Sequence, residues 1–187
     1  MATVLCGIGA GIGYDCNSKR LVSGVKKVWL FNIDQLRTAI DPNGTGYVRG
    51  LEFTGYDGLY LFDAGKYSHS ATSPVIKQAD SGAVSFGQTV TLRLLPDDPT
   101  ELSTLSDLLV STVGAVVLTN NNEFRIYGAI NGMEITEGEV NPTGRAQGEN
   151  TVTTITLGGE EKLPYRILLH TDGTYASTLA LVEAYVF

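Results

Sequence analysis

Alternation of apolar and polar residues, the mark of a half-buried strand, recurs along this chain. The three-to-four spacing of an amphipathic helix stands out once. The clearest alternation lies at 84–95, where Phe86, Gln88, Val90, Leu92 and Leu94 share one face and Thr89, Thr91 and Arg93 the other. Residues 25–31 form a β-rich run, followed by turn chemistry at Asp41-Pro42-Asn43-Gly44. Short strands are predicted at 47–54 and 59–63, separated by Gly55-Tyr56-Asp57-Gly58. Residues 64–83 read as a polar loop of about twenty residues, longer than a compact domain usually carries. Strands at 115–119 and 123–130 are joined by Asn120-Asn121-Asn122, a strong hairpin signal. Further strands are predicted at 133–140, 151–157 and 163–170, and a last one at 180–186 closes the chain. Asn141, Pro142, Gly144 and Gly148 mark 141–150 as a second long loop.

The helical segment covers about 98–113. Asp98 is placed to cap it, Pro99 occupies the first helical position, and Glu101 completes a capping box. Leu102, Leu105, Leu108, Leu109 and Val113 then mark an apolar face, and Gly114 ends the helix. No linker, low-complexity tract or internal repeat divides the chain, so 1–187 is read as one domain with a Gly-rich N-terminal arm at 1–15. The expected fold class is mainly β, a sandwich-like layout with one packed helix and long loops.

Composition narrows the function. The chain has 187 residues, 13 Lys+Arg and 20 Asp+Glu, giving a net charge of −7 that argues against a DNA-coating protein. The charge is uneven: residues 1–50 carry a net +3 and the remainder a net −10. Glu134, Glu137, Glu139, Glu149, Glu160 and Glu161 concentrate acid in 134–161, against Arg145 alone. A solvated surface explains such asymmetry, and so do basic and acidic faces that meet in a self-assembly. No apolar run reaches the ~18 residues that span a bilayer as a helix, and no membrane partner is expected. The first residues lack the basic n-region of a secretory signal.

Candidate chemistry is sparse. Gly7, Gly9, Gly11 and Gly13 miss the dinucleotide-binding spacing, because position 12 is Ile12. Cys6 and Cys16 have the numbers for a disulfide, but nothing in the chain indicates an oxidising compartment. The segment 41–52 places Asp41, Asn43, Thr45, Tyr47 and Glu52 at the ligand positions of an EF-hand calcium loop, with Gly46 at its sharp turn. Arg49 at the ninth position, a strand-like continuation with Gly55 and Gly58, and the lack of a second loop count against it. A tight hairpin turn accounts for the same residues, so no metal is assigned. His69, between Ser68 and Ser70, reads as a solvated loop residue, and His170 as the end of a strand. The adjacent carboxylates Glu160 and Glu161 point to opposite faces of a strand and make no acid–base pair. Tyr60 and Phe62 are expected to pack together on one sheet face. No catalytic residue or cofactor is expected, and the chain is read as a non-enzyme.

Three stretches carry a resemblance. They are Val22-Ser23-Gly24-Val25-Lys26-Lys27-Val28-Trp29-Leu30-Phe31-Asn32, Ser85-Phe86-Gly87-Gln88-Thr89-Val90-Thr91-Leu92 and Asn131-Gly132-Met133-Glu134-Ile135-Thr136-Glu137-Gly138. The last is followed by a Gly/polar segment, a Thr-rich strand and Gly159-Glu160-Glu161-Lys162-Leu163-Pro164. These stretches, and the element order, resemble the tail tube (major tail) proteins of tailed bacteriophages and related phage and prophage virion structural proteins. The likeness spans about residues 20–170 and brings no catalytic or ligand motif with it. It implies a tail-tube type β-sandwich or barrel and a virion subunit assembled in the host cytoplasm. Its partners would be further copies of itself in stacked, hexameric rings and other tail or neck proteins. DNA would pass through the lumen without specific binding. Glu134, Glu137, Glu139 and Glu149 are then candidates for an acidic lumen or interface. The rival within the same class is a head–tail connector, tail terminator or capsid-associated protein. A calcium- or carbohydrate-binding β module, resting on 41–52 and the tyrosines, is the rival from another class.

Overall fold

The computed structural model describes residues 23–37, 46–54, 58–63, 68–80, 82–95, 98–140 and 152–187. In chain order the elements are β1 (Val25–Asn32), a 3-10 turn (Ile33–Gln35), β2 (Tyr47–Val48), β3 (Tyr60–Phe62), β4 (Ser70–Thr72), β5 (Val75–Lys77) and β6 (Val84–Leu94). Then follow α1 (Pro99–Leu108), β7 (Val113–Thr119), β8 (Phe124–Tyr127), β9 (Glu134–Glu139), β10 (Thr153–Glu161), β11 (Arg166–Leu168) and α2 (Tyr175–Glu183). The chain is mainly β, and the described strands form two sheets. One has six strands in the order β2-β11-β8-β7-β1-β3, antiparallel except where β11 runs parallel to β2. The other is antiparallel, in the order β4-β6-β10-β9, with β5 also on β6.

Burial follows the alternation of strand side chains. Val28 and Leu30 of β1, Ala115 and Val117 of β7, Val90 and Leu92 of β6, and Ile155 and Leu157 of β10 fill the space between the sheets. Leu105 and Leu108 of α1 pack into that core. The opposite face of the six-stranded sheet carries Trp29, Phe31, Val116, Leu118, Phe124 and Ile126, which pack with Val182 of α2 and with Leu51 and Leu59. The six-stranded sheet is therefore covered on both faces, and every residue of β7 is buried. Each large side chain fully buried here contributes about 1.5–3 kcal/mol.

The structure corrects several expectations. The loop predicted at 64–83 contains β4 and β5, both on the outer edge of β6. They are two strands because Pro74 cannot donate to a ladder; its carbonyl instead accepts the Gly87 amide at 2.9 Å. The predicted strand at 47–54 is regular only at β2, with Phe53 making an isolated bridge to Leu36. The strand predicted at 151–157 runs on to Glu161.

Helix α1 begins as expected, with Asp98 accepting the Thr100 amide at 2.7 Å and Pro99 in the first turn. It ends at Leu108, not near 113, because Val113 and Gly114 are taken by β7 pairing with Asn32 and Phe31. Gly114 is no helix terminator: a Cβ there would collide with the Phe31 ring, so glycine admits the ring against the strand. Leu102 and Leu109 are exposed, leaving Leu105 and Leu108 as the buried stripe.

Among the described residues there are two α-helices rather than one. The predicted final strand 180–186 is the second half of α2 and its exit, with Val186 alone bridging to Leu59. A short apolar run does not distinguish helix from strand. The decision came from upstream, where Thr174 caps the helix by accepting the Ser177 amide, and from Leu179, Leu181 and Val182 set against the second core. The predicted loop 141–150 and the arm 1–15, with Cys6 and Cys16, lie outside the described residues.

Candidate functional site

Among the described residues the two cores leave one sheet surface uncovered, the outer face of the five-stranded sheet. Residues directly opposite on neighbouring strands share a face, so its composition follows from the register. Arg93 pairs with Thr154 and Thr154 with Glu139. The next row reads Ser70, Thr91, Thr156 and Glu137, and the one after it Thr72, Thr89, Gly158 and Glu134. Gly87 opposes Glu160, whose carboxylate accepts a short hydrogen bond from the Ser85 hydroxyl. Ile76, opposite Ser85, is the apolar exception at a corner. The surface is thus rich in hydroxyls and acidic along β9.

A β-bulge gathers the acids. Strict alternation would put Glu134 on one side of β9 and Glu137 and Glu139 on the other. Thr156 pairs with Glu137 and Leu157 with Ile135, so Thr136 is an extra residue and the pattern shifts by one. Ile135 turns toward the core while Glu134, Glu137 and Glu139 all face outward. Thr136 lies over Gly158, where a Cβ would come within 2.7 Å of its methyl, and its hydroxyl donates to the Thr156 carbonyl at 3.2 Å. Glu134 also accepts from the Thr112 hydroxyl at 3.3 Å. Glu149 lies outside the described residues.

The sheet has two terminal edges. Among the described residues no strand pairs with the outer side of β9, nor with the outer sides of β4 and β5. The β9 edge carries three carboxylates, while β5 ends in Lys77. Open edges normally invite pairing with another chain, and an acidic edge avoids a second copy of itself more than it avoids the other edge, which favours joining in one direction.

The other sequence candidates separate. Of the calcium set, Asp41, Asn43 and Thr45 lie outside the described residues. Gly46 has φ +81° and makes the turn, but Tyr47 enters a strand beside Ile167. The Glu52 carbonyl accepts the Arg37 amide at 2.8 Å, and the bridge at Phe53 follows where an EF-hand would start its exit helix. Among the described residues no three His, Cys, Asp or Glu side chains come together to hold a metal. Tyr47 and Tyr60 sit on opposite terminal strands of the six-stranded sheet, so they form no shared aromatic platform. Tyr60 and Phe62 do share one face of β3, opposite Leu30 and Val28; Tyr60 also packs with Phe187, ring centroids 6.4 Å apart, and Phe62 joins the inter-sheet core. Two adjoining clefts of about 300 and 370 Å³ lie between β3 and α1, with Tyr60, Phe62 and Thr104 common to both and Asp63, Glu101 and Asp107 in their walls.

One apparent triad is structural. His170 Nδ1 lies 3.0 Å from Asp172, and the Ser177 hydroxyl donates a short hydrogen bond to the same carboxylate. The carboxylate sits between serine and imidazole, so the histidine cannot take the serine's proton as a general base. Asp172 also accepts the Thr174 amide at 3.1 Å, which makes the cluster the entry turn of α2. These bonds, from Ser177 first, then Thr174 and His170, hold its pKa down to about 2.

Three buried polar residues escaped the sequence reading. Gln88 accepts the Gly128 amide at 2.5 Å and donates to the Leu163 carbonyl at 2.9 Å. Glu161 accepts the Ile130 and Asn131 amides at 2.6 and 3.3 Å and faces Arg166 at 3.8 Å. His69, expected in solvent, is only 4% exposed and accepts the Arg93 amide at 3.4 Å. The available signal for Gln88 was a polar residue on an otherwise apolar strand face. No protein-family model matches this chain, and no curated protein and no solved structure matches it.

Proposed function

We propose that the chain is a structural subunit of the phage tail-tube type, which works by self-assembly and not by catalysis. The observation that carries the proposal is the five-stranded sheet, which among the described residues has two unpaired edges, one of them acidic, and an outer face of Ser, Thr and Glu that nothing covers. In this reading the β9 edge of one copy joins the β4/β5 edge of the next, a head-to-tail contact that closes into a ring when the rotation permits. Closure removes the exposed edges, and the hydroxyl-rich face turns toward the lumen. Glu134, Glu137 and Glu139 would then line a channel that repels phosphates, so that DNA slides through it without being held.

Negative-stain electron microscopy of the purified protein across concentration and salt tests this directly. Tubes with a central channel are expected. Isolated rings would move the assignment to a connector or terminator, and a protein that stays monomeric under all conditions would overturn it. The double variant Glu137→Lys, Glu139→Lys should abolish tubes while leaving the monomer folded. Unimpaired tubes in that variant would remove the β9 edge from the contact.

A further inference from the structure

His69 occupies the seam between the two sheets. It precedes β4 and lies on the inward side of its edge, because Ser70 faces outward beside Thr91 and Ala71 inward beside Val90. Its Nδ1 accepts the amide of Arg93 on β6, which places the proton of the neutral ring on Nε2. Nε2 is buried and makes no hydrogen bond, although the Phe62 carbonyl and the Asp63 carboxylate at the end of β3 face the ring from the other sheet. Beside the ring is a cleft of about 270 Å³ lined by Val25 and Val117 and by Arg125 and Tyr127 of β8. Arg125 is already paired with Glu123 at 2.8 Å and stacked on Tyr165 at 4.3 Å, so its charge is largely satisfied.

We propose that His69 is an acid-operated clasp that ties the entry of β4 to β6 beside the end of β3 and lets that seam open when the imidazole is protonated. A protonated ring donates from both nitrogens, so Nδ1 can no longer accept the Arg93 amide. The cation is also desolvated among Val25 and Val117, with Asp63 as the carboxylate facing it. Burial holds the pKa below the ordinary histidine value, with Asp63 and the Phe62 carbonyl opposing the shift. The folded state thus resists protonation more than the unfolded chain does. Stability conferred by the neutral ring is complete above about pH 6.5 and is lost as pH falls toward the lowered folded value. The strand released first is β4, three residues long and paired only with β6 among the described strands. The clasp is independent of whether the sheet edges join copies of the chain.

Amide hydrogen exchange of the full chain at pH 7.5 and 5.0, corrected for intrinsic rates, tests the clasp. Segments containing Phe62, Asp63 and Ala71 should lose protection about tenfold relative to β7 and β8 at the lower pH, as expected of local opening. His69→Asn keeps an acceptor near Nδ1 without titrating, and should remove that pH dependence. A wild-type seam that stays protected at pH 5.0, or an equal loss in His69→Asn, overturns the proposal. Should His69→Asn fail to fold, a nuclear magnetic resonance titration of the wild-type protein decides the matter, with His170→Asn to assign the two imidazoles. Titration of His69 below the ordinary value with co-moving Arg93 and Phe62 amides supports the clasp. Ordinary titration with still amides overturns it.

Discussion

The two sheets are built to opposite specifications. In the six-stranded sheet β7 reads Val-Gly-Ala-Val-Val-Leu-Thr and is buried throughout, because one face meets the other sheet and the other meets α2. In the five-stranded sheet β6 alternates Gln88, Val90, Leu92 and Leu94 with Thr89, Thr91 and Arg93, because one face meets the core and the other meets solvent. The difference separates tasks. The continuous apolar strand makes the sheet a central layer with little freedom to change. Among the described residues the alternating strand leaves a whole face free of packing duties, and a free face with open edges is where assembly can be encoded.

That contrast can be tested by substitution. Phe124 stacks between Trp29 and Tyr175, at centroid distances of 6.2 and 5.7 Å. Phe124→Ala should cost about 3–5 kcal/mol, read by chemical denaturation with fluorescence of Trp29. The buried carboxylate of Glu161 comes next. Glu161→Ala should cost about 3 kcal/mol, since it strands Arg166 and two loop amides, and Glu161→Gln should recover part of the loss. Thr174→Ala, at the cap of α2, should cost about 1 kcal/mol in the same measurement. Thr91→Ala and Thr156→Ala on the outer face should stay within about 0.5 kcal/mol, and a larger loss would show that this face is structural after all.

Acid sharpens the same comparison at the entry of α2. Asp172 has a pKa depressed to about 2, so its stabilising bonds are fully present above the unfolded value of 3.8 and fade as pH falls from there toward 2. Helix loss followed by circular dichroism over that window should be blunted in Asp172→Asn. An unchanged acid limb would show that the entry turn is held by Thr174 alone.

Much of this was legible along the chain. The strands at 25–31, 84–95 and 115–119, the Asn-rich hairpin and the capped start of α1 each carry their own local signal, in period, β-branching or turn chemistry. The failures share a cause. The 180–186 run is apolar enough for either element, and only the Asp172–Thr174–Ser177 entry and the second core make it helical. β4 and β5 are too short to show a period, and exist because β6 offers them an edge. His69 and Glu161 looked like surface residues because polar side chains usually are, and the amides they accept from lie 24 and about 30 positions away.

By itself, then, the sequence determined that the chain is mainly β, that the strand at 84–95 turns one face to a core, and that acid collects in 134–161, since period and composition are local properties. The tertiary structure decided which faces the acids share. A single bulge at Thr136 moved Glu134 to the side of Glu137 and Glu139, and strand pairing, which links residues far apart in sequence, is what set that register.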